Sequence, residues 1–192
     1  IQQLGLRVRG GFIVGFDSDS PEIFERQIRF IQESRIVTAM VGMLNAPSGS
    51  RLYERLKREG RLGEEITGDN TDCSTNIIPR MGYERLAAGY REVLNGIYGP
   101  RAYYERVKAY LKEYRPLEKR KRGLHLRYVR YNLHYLDAPF RTLLTLGIKD
   151  RARLYYWKLV FWSLFRRPLL LPMAITYMVY GFHFRKTYGT YL

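Results

Sequence analysis

The sequence predicts an α/β unit followed by an all-α region, with the boundary near residue 80. Residues 1–80 alternate strand-like and helix-like patterns in the order βαβα, which is typical of a parallel sheet, and the patterns beyond them are helical. Residues 1–100 hold 13 basic and 13 acidic side chains, whereas residues 101–192 hold 20 basic and 5 acidic ones. The second half therefore carries the whole net charge of +15. We therefore expect two modules, 1–80 and 81–192.

Two apolar runs predict the strands. The first extends from Leu6 to Phe16 and contains several glycines, and the second extends from Ile36 to Leu44. The second is almost continuously apolar, as expected for a strand that is buried on both faces of a parallel sheet. Between the runs, residues 21–34 predict a helix with Ser20 as its N-cap. Its apolar face consists of Phe24, Ile28 and Ile31.

The remaining elements are predicted as helices and one long polar loop. Ser50 precedes a helix over Arg51–Glu59, with Gly60 at the C-cap position. The polar loop covers 63–81, and a basic linker covers 118–123. Further helices are predicted at 83–97, 100–114, 124–136, 139–147, 150–166 and 168–186.

The cysteine and histidine content excludes several classes of site. Cys73 is the only cysteine, so an internal disulfide framework is excluded, and we expect this thiol to be inert. A zinc or iron–sulfur site built from this chain alone is excluded as well, because such sites need three or four suitably spaced ligands. The chain also begins at Ile1 without a signal peptide, so we expect a fragment that lacks its N-terminal portion.

The first strand ends in a glycine-rich motif that could contact a ligand. Gly11, Ile13 and Gly15 have the spacing G-x-I-x-G just before a predicted helix. Ligands of parallel α/β proteins bind at the carboxyl ends of strands, where glycine allows a flat group to approach the backbone. A glycine that merely accommodates a neighbouring helix would give the same pattern. The dinucleotide fingerprint G-x-G-x-x-G is absent.

Several motifs in order resemble the fifth and sixth βα units of the radical SAM barrel. The family writes a G-x-I-x-G-L-P-G-E-T-like strand end, which is matched by Gly11, Ile13 and Gly15, with Asp19 near the family's acid. The segment Asn45–Tyr53 matches the family's P-x-P-G-T-x-L-Y helix start. The rest, from about residue 80, resembles the uncharacterised helical domain at the C-terminus of cobalamin-binding-domain radical SAM proteins.

The resemblance implies the C-terminal part of a radical SAM (partial TIM-like) barrel with a helical accessory domain. Such enzymes use a 4Fe-4S cluster to cleave S-adenosylmethionine to a deoxyadenosyl radical. The positions that it assigns to the S-adenosylmethionine site are Gly11, Ile13, Gly15, Asp19, Leu44, Asn45 and Ala46. Ile13 would pack on the adenine, Gly15 would let the adenosyl group approach, and Leu44 to Ala46 would line the adenine from the next strand.

The family's cluster motif, C-x-x-x-C-x-x-C, and its cobalamin-binding domain are absent from this chain. We therefore expect the chain to be inactive alone, with the ligands of the cluster and of cobalamin in a missing N-terminal part of the same protein. Simple packing remains the alternative for Ile13 and Leu44, and helix entry for Asp17 and Asp19. In the polar loop, the candidate contacts to a small-molecule or lipid-like substrate are Asp69, Asn70, Asp72 and Asn76.

The basic half permits a second hypothesis, that of a helical binding module. Seven Lys or Arg and one acid lie between Arg115 and His134, together with tyrosines that could stack on bases, so nucleic acid is the weaker alternative partner. An anionic membrane surface explains more, because Leu159–Phe165 and Leu169–Phe184 are strongly apolar and lie near arginines. The uncharged run from Pro168 to Phe184 is too short and interrupted to predict a membrane span. We expect a cytoplasmic protein, whose helices either pack on one another or lie on the inner face of the membrane.

Overall fold

The computed structural model describes residues 4–63, 74–116 and 142–189. The strands and α-helices that lie wholly within these ranges are, in chain order, β1 (Arg9–Val14), α1 (Ile23–Glu33), β2 (Thr38–Met43), α2 (Arg51–Arg58), α3 (Tyr83–Tyr98), α4 (Pro100–Glu113), α5 (Arg153–Arg166) and α6 (Leu171–Tyr188). A π-helical turn, Thr145–Lys149, precedes α5, and a 3-10 turn, Pro168–Leu170, joins α5 to α6. The basic linker at 118–123 and the helix expected at 124–136 lie outside the described residues.

The two strands are parallel neighbours, which confirms the predicted βαβ unit. Their register runs from Arg9 opposite Thr38 to Val14 opposite Met43. Both strands are shorter than the apolar runs that predicted them. Since the strands are parallel and in step, their carboxyl ends lie at the same edge of the molecule.

The two faces of this small sheet differ sharply. On one face, Val14, Ala39 and Val41 are fully buried, and α1 and α3 pack against the strands. On the other face, Ile13 and Met40 are 48% and 50% exposed. The prediction that the second strand is buried on both faces is therefore wrong for the described residues, because helices cover only one of them.

The far edge of β2 is closed by tyrosine side chains from α3. The N–H of Leu44 donates to Val14 in β1 at 2.8 Å. Since alternate residues of a strand direct their hydrogen-bonding groups to opposite edges, the carbonyls of Ala39 and Val41 face away from β1. The hydroxyls of Tyr98 and Tyr90, respectively, donate to these two carbonyls. A further strand could therefore not pair with β2 unless α3 moved. At the outer edge of β1, the side-chain amide of Gln27 in α1 donates to the Ile13 carbonyl at 2.9 Å.

The first helix starts later than predicted. α1 begins at Ile23, and the Ser20 hydroxyl makes no capping bond to it, so the prediction of Ser20 as the N-cap is wrong. Residues 21 and 22 form a turn instead, in which the N–H of Ile23 donates to the Ser20 carbonyl at 3.0 Å. The predicted apolar face is correct, since Phe24 and Ile31 are buried.

The second helix is delimited as predicted. The Ser50 hydroxyl accepts a hydrogen bond from the N–H of Tyr53 at 3.1 Å, which caps α2. At the other end, Gly60 adopts a φ of +65°, and the N–H of Arg61 donates back to the Leu56 carbonyl at 2.8 Å. A residue with a side chain rarely adopts such a backbone angle, so the glycine serves the helix end.

The core of α3 to α6 is aromatic and continues into the α/β unit. The Tyr103 hydroxyl donates to the Tyr177 carbonyl in α6 at 2.6 Å. Arg106, only 2% exposed, lies near the rings of Tyr98 and Tyr103 and donates to the Gln32 side chain in α1 at 3.0 Å. One buried core thus spans both predicted modules, and a boundary at residue 80 stays a prediction. Among the described residues, no helix has the length and apolarity needed to cross a bilayer.

Candidate functional site

The carboxyl ends of β1 and β2 form one side of an open concave space of about 400 Å³. Four of the residues that the family resemblance assigned to a cofactor site line it, namely Gly11, Ile13, Leu44 and Asn45. The other lining residues are Phe12, Met40, Gly42 and Met43. The surface is therefore mostly apolar, with two glycines where side chains would otherwise fill the space.

Gly11 and Ile13 give this surface its shape. A Cβ atom at Gly11 would meet no other atom within 4 Å, so the glycine leaves free space above the strand. Ile13 is half exposed on the same face, although an isoleucine at a strand end is ordinarily part of the core. Together, they offer a flat apolar group a place to lie against the strand.

Gly15 is positioned for a different reason. It is buried, with a φ of +106°, and a Cβ atom there would lie 3.0 Å from a methyl group of Leu86 in α3. Both the backbone angle and the approach of α3 therefore demand glycine. The structure accounts for Gly15 without a ligand, and its predicted contact to an adenosyl group stays a prediction.

Asp19 closes the turn that follows β1. Its Oδ2 atom accepts hydrogen bonds from the N–H groups of Gly15 at 2.9 Å and Phe16 at 3.0 Å. The carboxylate thus orders the backbone directly beyond the strand end. Its assignment to the cofactor site stays untested, and the geometry gives it a positioning role.

Asn76 orders the loop that follows β2. Its Oδ1 atom accepts the N–H of Ala46 at 2.8 Å, and its Nδ2 group donates to the Ala46 carbonyl at 2.8 Å. The N–H of Asn76 donates to Oδ1 of Asn45 at 3.2 Å, and the Thr75 hydroxyl donates to the Leu44 carbonyl at 2.6 Å. The predicted lining residues Leu44, Asn45 and Ala46 are consequently held from behind by residues 75 and 76.

These bonds change the interpretation of Asn76 and Ala46. Asn76 was expected as a substrate contact, but its amide group is engaged with the backbone of Ala46. Ala46 is fully buried and does not line the concave space. The other expected loop contacts, Asp69, Asn70 and Asp72, and also Cys73, lie outside the described residues.

An arginine cluster around Asp17 was missed by sequence reasoning. Asp17 pairs with Arg61 at 2.7 Å and with Arg55 at 3.0 Å, while Arg80 lies 3.8 Å away. The hydrogen bond from Arg61 is the main cause that lowers the pKa of Asp17 below its usual value, and the pKa of Arg61 is raised in return. The first two partners are 44 and 38 residues away in sequence, so no local spacing could have indicated the pairing.

This cluster connects the loop after β1 to α2 and to the strand-end loops. Arg61 also donates to the Ile78 carbonyl at 3.0 Å, next to the segment that holds Ala46. The carboxylate of Asp17 is therefore occupied by cations of the same chain. Within the described ranges, no three His, Cys, Asp or Glu residues are grouped as a metal site would require.

Comparison with known proteins identifies relatives that are much longer. Residues 50–191 match the model of a domain of unknown function, DUF4070. The chain is 33% identical over 186 residues to an uncharacterised methyltransferase of Synechocystis sp. (strain ATCC 27184 / PCC 6803 / Kazusa), covering 96% of this chain and 34% of the relative. It is 26% identical over 186 residues to the hopanoid C-2 methylase of Rhodopseudomonas palustris (strain TIE-1), covering 92% of this chain and 33% of the relative.

The chain thus spans about one third of the length of these curated relatives. No solved structure matches it. The domain match covers most of the chain, from the start of α2 almost to its end. This chain therefore belongs to the family of proteins that contain the DUF4070 domain.

Proposed function

We propose that this chain is part of a methyltransferase of the radical SAM type, to which it contributes the last two strands of the barrel and half of the site for S-adenosylmethionine. The methyltransferase class rests on the names of the two relatives. The radical SAM assignment rests on the motifs around Gly11–Gly15 and Asn45–Tyr53. The observation that carries the proposal is the pair of parallel strands whose adjacent ends form an open, glycine-lined apolar surface.

The closed edge of β2 supports its position as the last strand. Tyr90 and Tyr98 occupy carbonyls of β2 that another strand would need. At the outer edge of β1, the Gln27 side chain donates to the Ile13 carbonyl at 2.9 Å. The Gln27 side chain is partly exposed and can turn away without opening the core, whereas Tyr90 and Tyr98 are buried, so additional strands would join on the β1 side. They would also cover the open face on which Ile13 and Met40 are exposed, as parallel sheets require.

The residues present fit an adenosyl group. Gly11 leaves space for a planar ring, Ile13 offers an apolar surface beside it, and Asn45 adds polar atoms at the neighbouring strand end. The loops behind this surface are already ordered by Asp19 and Asn76, so little backbone entropy would be lost on binding. Bound S-adenosylmethionine would supply the methyl group or the adenosyl radical for the reaction.

A 4Fe-4S cluster and cobalamin complete the proposal. The single cysteine of this chain cannot hold a cluster, so we place the ligands of both groups elsewhere in the full-length protein. This chain's own residues would bind and orient the adenosyl group and exclude water from one side of it.

Binding of S-adenosylmethionine by the full-length protein tests the site. In the variant Gly11→Val, the added side chain enters the concave space, and we expect at least tenfold weaker binding by calorimetry. The matched control is Arg9→Val, which lies on the same strand and face but at the amino end of β1. Unchanged affinity in a folded Gly11→Val protein would exclude the strand ends as the adenosyl site.

The iron content tests the radical SAM assignment separately. We expect the anaerobically purified full-length protein to contain about four iron and four sulfide atoms per chain. A protein without iron that still binds S-adenosylmethionine at this surface would refute the radical SAM assignment and leave a methyltransferase of another type.

A further inference from the structure

The helix α5 carries apolar side chains on two opposite faces. One face packs into the core through Tyr156, Leu159 and Ser163, which are all buried. The opposite face is exposed, although its residues are large and apolar: Leu154 is 67% exposed and Phe165 is 79% exposed. A surface helix ordinarily presents polar side chains to water, so this outward face calls for an explanation.

The exposed residues form a continuous line along the helix. We call this line the outer stripe; it consists of the exposed Leu154, Phe161, Leu164 and Phe165 together with the partly buried Trp157. At 3.6 residues per turn, these positions fall within about one third of the circumference of the helix. The rings of Trp157 and Phe161 stack at 5.5 Å, and the Trp157 indole N–H donates to the Gly147 carbonyl at 3.0 Å, which orients its ring.

The charges around the outer stripe have one sign. From Arg151 to the end of the chain there is no acidic residue. Exposed cations flank the stripe at Arg151, Arg153, Lys158 and Arg166, and none of them pairs with a carboxylate in the part of the chain that the structure describes. Arg167, by contrast, faces inward and donates to the Lys112 carbonyl near the end of α4, so it serves the fold.

We propose that the outer stripe of α5 lies in the interfacial region of an anionic lipid bilayer, with the helix axis parallel to the membrane plane. Aromatic and leucine side chains would enter the boundary between headgroups and acyl chains. The flanking arginines and Lys158 would contact the negative headgroups. Their long side chains can extend from the backbone of the embedded helix so that the charged ends reach the headgroup region.

Two observations favour a lipid surface over an apolar protein partner. The cations stand at both ends of the stripe and beside its middle, which matches a continuous negative surface better than a few acidic side chains. The inward face of α5 is already used by the core, so the helix cannot turn to bury the stripe within its own fold. The inference is independent of the proposed methyltransferase function.

Binding of the full chain to vesicles tests the proposal. We expect co-sedimentation with vesicles of phosphatidylcholine and phosphatidylglycerol, at least tenfold weaker binding to phosphatidylcholine alone, and several-fold weakening when salt rises from 50 to 300 mM. The double variant Phe161→Ser/Phe165→Ser should bind at least tenfold more weakly. Its control is Phe30→Ser/Ile78→Ser, which removes two half-exposed apolar side chains away from α5 and should bind as the unchanged chain does.

A charge-reversal pair separates the role of the cations from that of the stripe. Arg153→Glu/Arg166→Glu should weaken binding to anionic vesicles and leave the small binding to neutral vesicles unchanged. The control Arg26→Glu/Lys57→Glu changes the net charge equally at exposed positions of α1 and α2. Circular dichroism would establish that all variants keep their helices.

The depth of Trp157 gives a direct readout. The chain has two tryptophans, so in the variant Trp162→Phe the fluorescence reports Trp157 alone. We expect a blue shift on adding anionic vesicles and quenching by lipids brominated in the upper acyl chain. Equal binding by the stripe variant and its control would overturn the proposal. The proposal would also be overturned if the chain bound neither kind of vesicle and instead formed a dimer that Phe165→Ser abolishes, because a second copy would then cover the stripe.

Discussion

The strand-end region and the helical half are held together by different kinds of contact. At the strand ends, Asp19 and Asn76 use their side chains to bind the backbone of the neighbouring loop, and Asp17 gathers arginines from distant segments. In the helical half, tyrosines fill the core, and the hydroxyls of Tyr90, Tyr98 and Tyr103 donate to backbone carbonyls. The first region is ordered by polar groups at its surface, the second by aromatic burial.

This difference explains how an open surface can keep a fixed shape. Apolar packing covers only one face of the sheet, so the other face has few buried neighbours. The loops around it are ordered instead by polar bonds that do not occupy the concave space. The aromatic half supports the sheet through α3, which packs on α1 and closes the edge of β2.

The largest effect is expected where the two regions meet. Phe24 of α1 is 1% exposed, and its ring occupies the space that a side chain at Gly89 of α3 would need. Phe24→Ala should lower the free energy of unfolding by about 3–5 kcal/mol, because a large cavity would form between α1 and α3. Urea denaturation measures it. Phe30→Ala on the same helix, which is 56% exposed, should change it by less than about 0.5 kcal/mol.

An intermediate effect is expected at the closed edge of β2. Burial raises the pKa of Tyr98 far above its usual value, so its hydroxyl stays protonated and donates to Ala39. Tyr98→Phe should cost about 1–3 kcal/mol of unfolding free energy, because the Ala39 carbonyl would be left buried without a partner. Thermal denaturation measures this loss of stability, and the control is Tyr180→Phe, which removes a hydroxyl from a residue that is 37% exposed. Equal stability of the two variants would show that the hydroxyl bond does not secure the edge.

The smallest effect is expected at the arginine cluster, and it depends on pH. Arg61 lowers the pKa of Asp17 in the folded protein, so the pair stabilises the fold above the unfolded pKa of about 3.8 and loses this contribution as the pH falls further. Asp17→Asn should cost about 1–2 kcal/mol at pH 7 and clearly less at pH 3. Urea denaturation at both pH values measures it. A constant difference between the two proteins would mean that the charge of Asp17 is irrelevant to stability.

Local patterns predicted the elements well where the signal lies within a few residues. Ser50 and Gly60 delimit α2 as their chemistry indicates. The start of α1 was misplaced because Ser20, which has the right residue type for a cap, lies in the turn before the helix. Gly11 and Ile13 do lie on one open surface, as the G-x-I-x-G spacing indicated, but the spacing alone could not show that Gly15 is buried under α3.

The proposed barrel, its cofactors and a membrane surface remain predictions that the experiments above address. The outer stripe of α5 illustrates the general limit. The sequence shows apolar residues all around this helix, but only the packing of Tyr156 and Leu159 reveals which side faces water.

The sequence by itself determined the order of the strands and helices that the structure describes, the parallel pairing implied by βαβ, the division of charge, and the glycines at the strand end. These features depend on residues close together in the chain, where backbone angles and apolar periodicity act directly. The tertiary structure alone decided which sheet face stays open, that α3 closes the edge of β2, and that Asp17 meets Arg61. Those outcomes join residues tens of positions apart, and they depend on how the whole core packs.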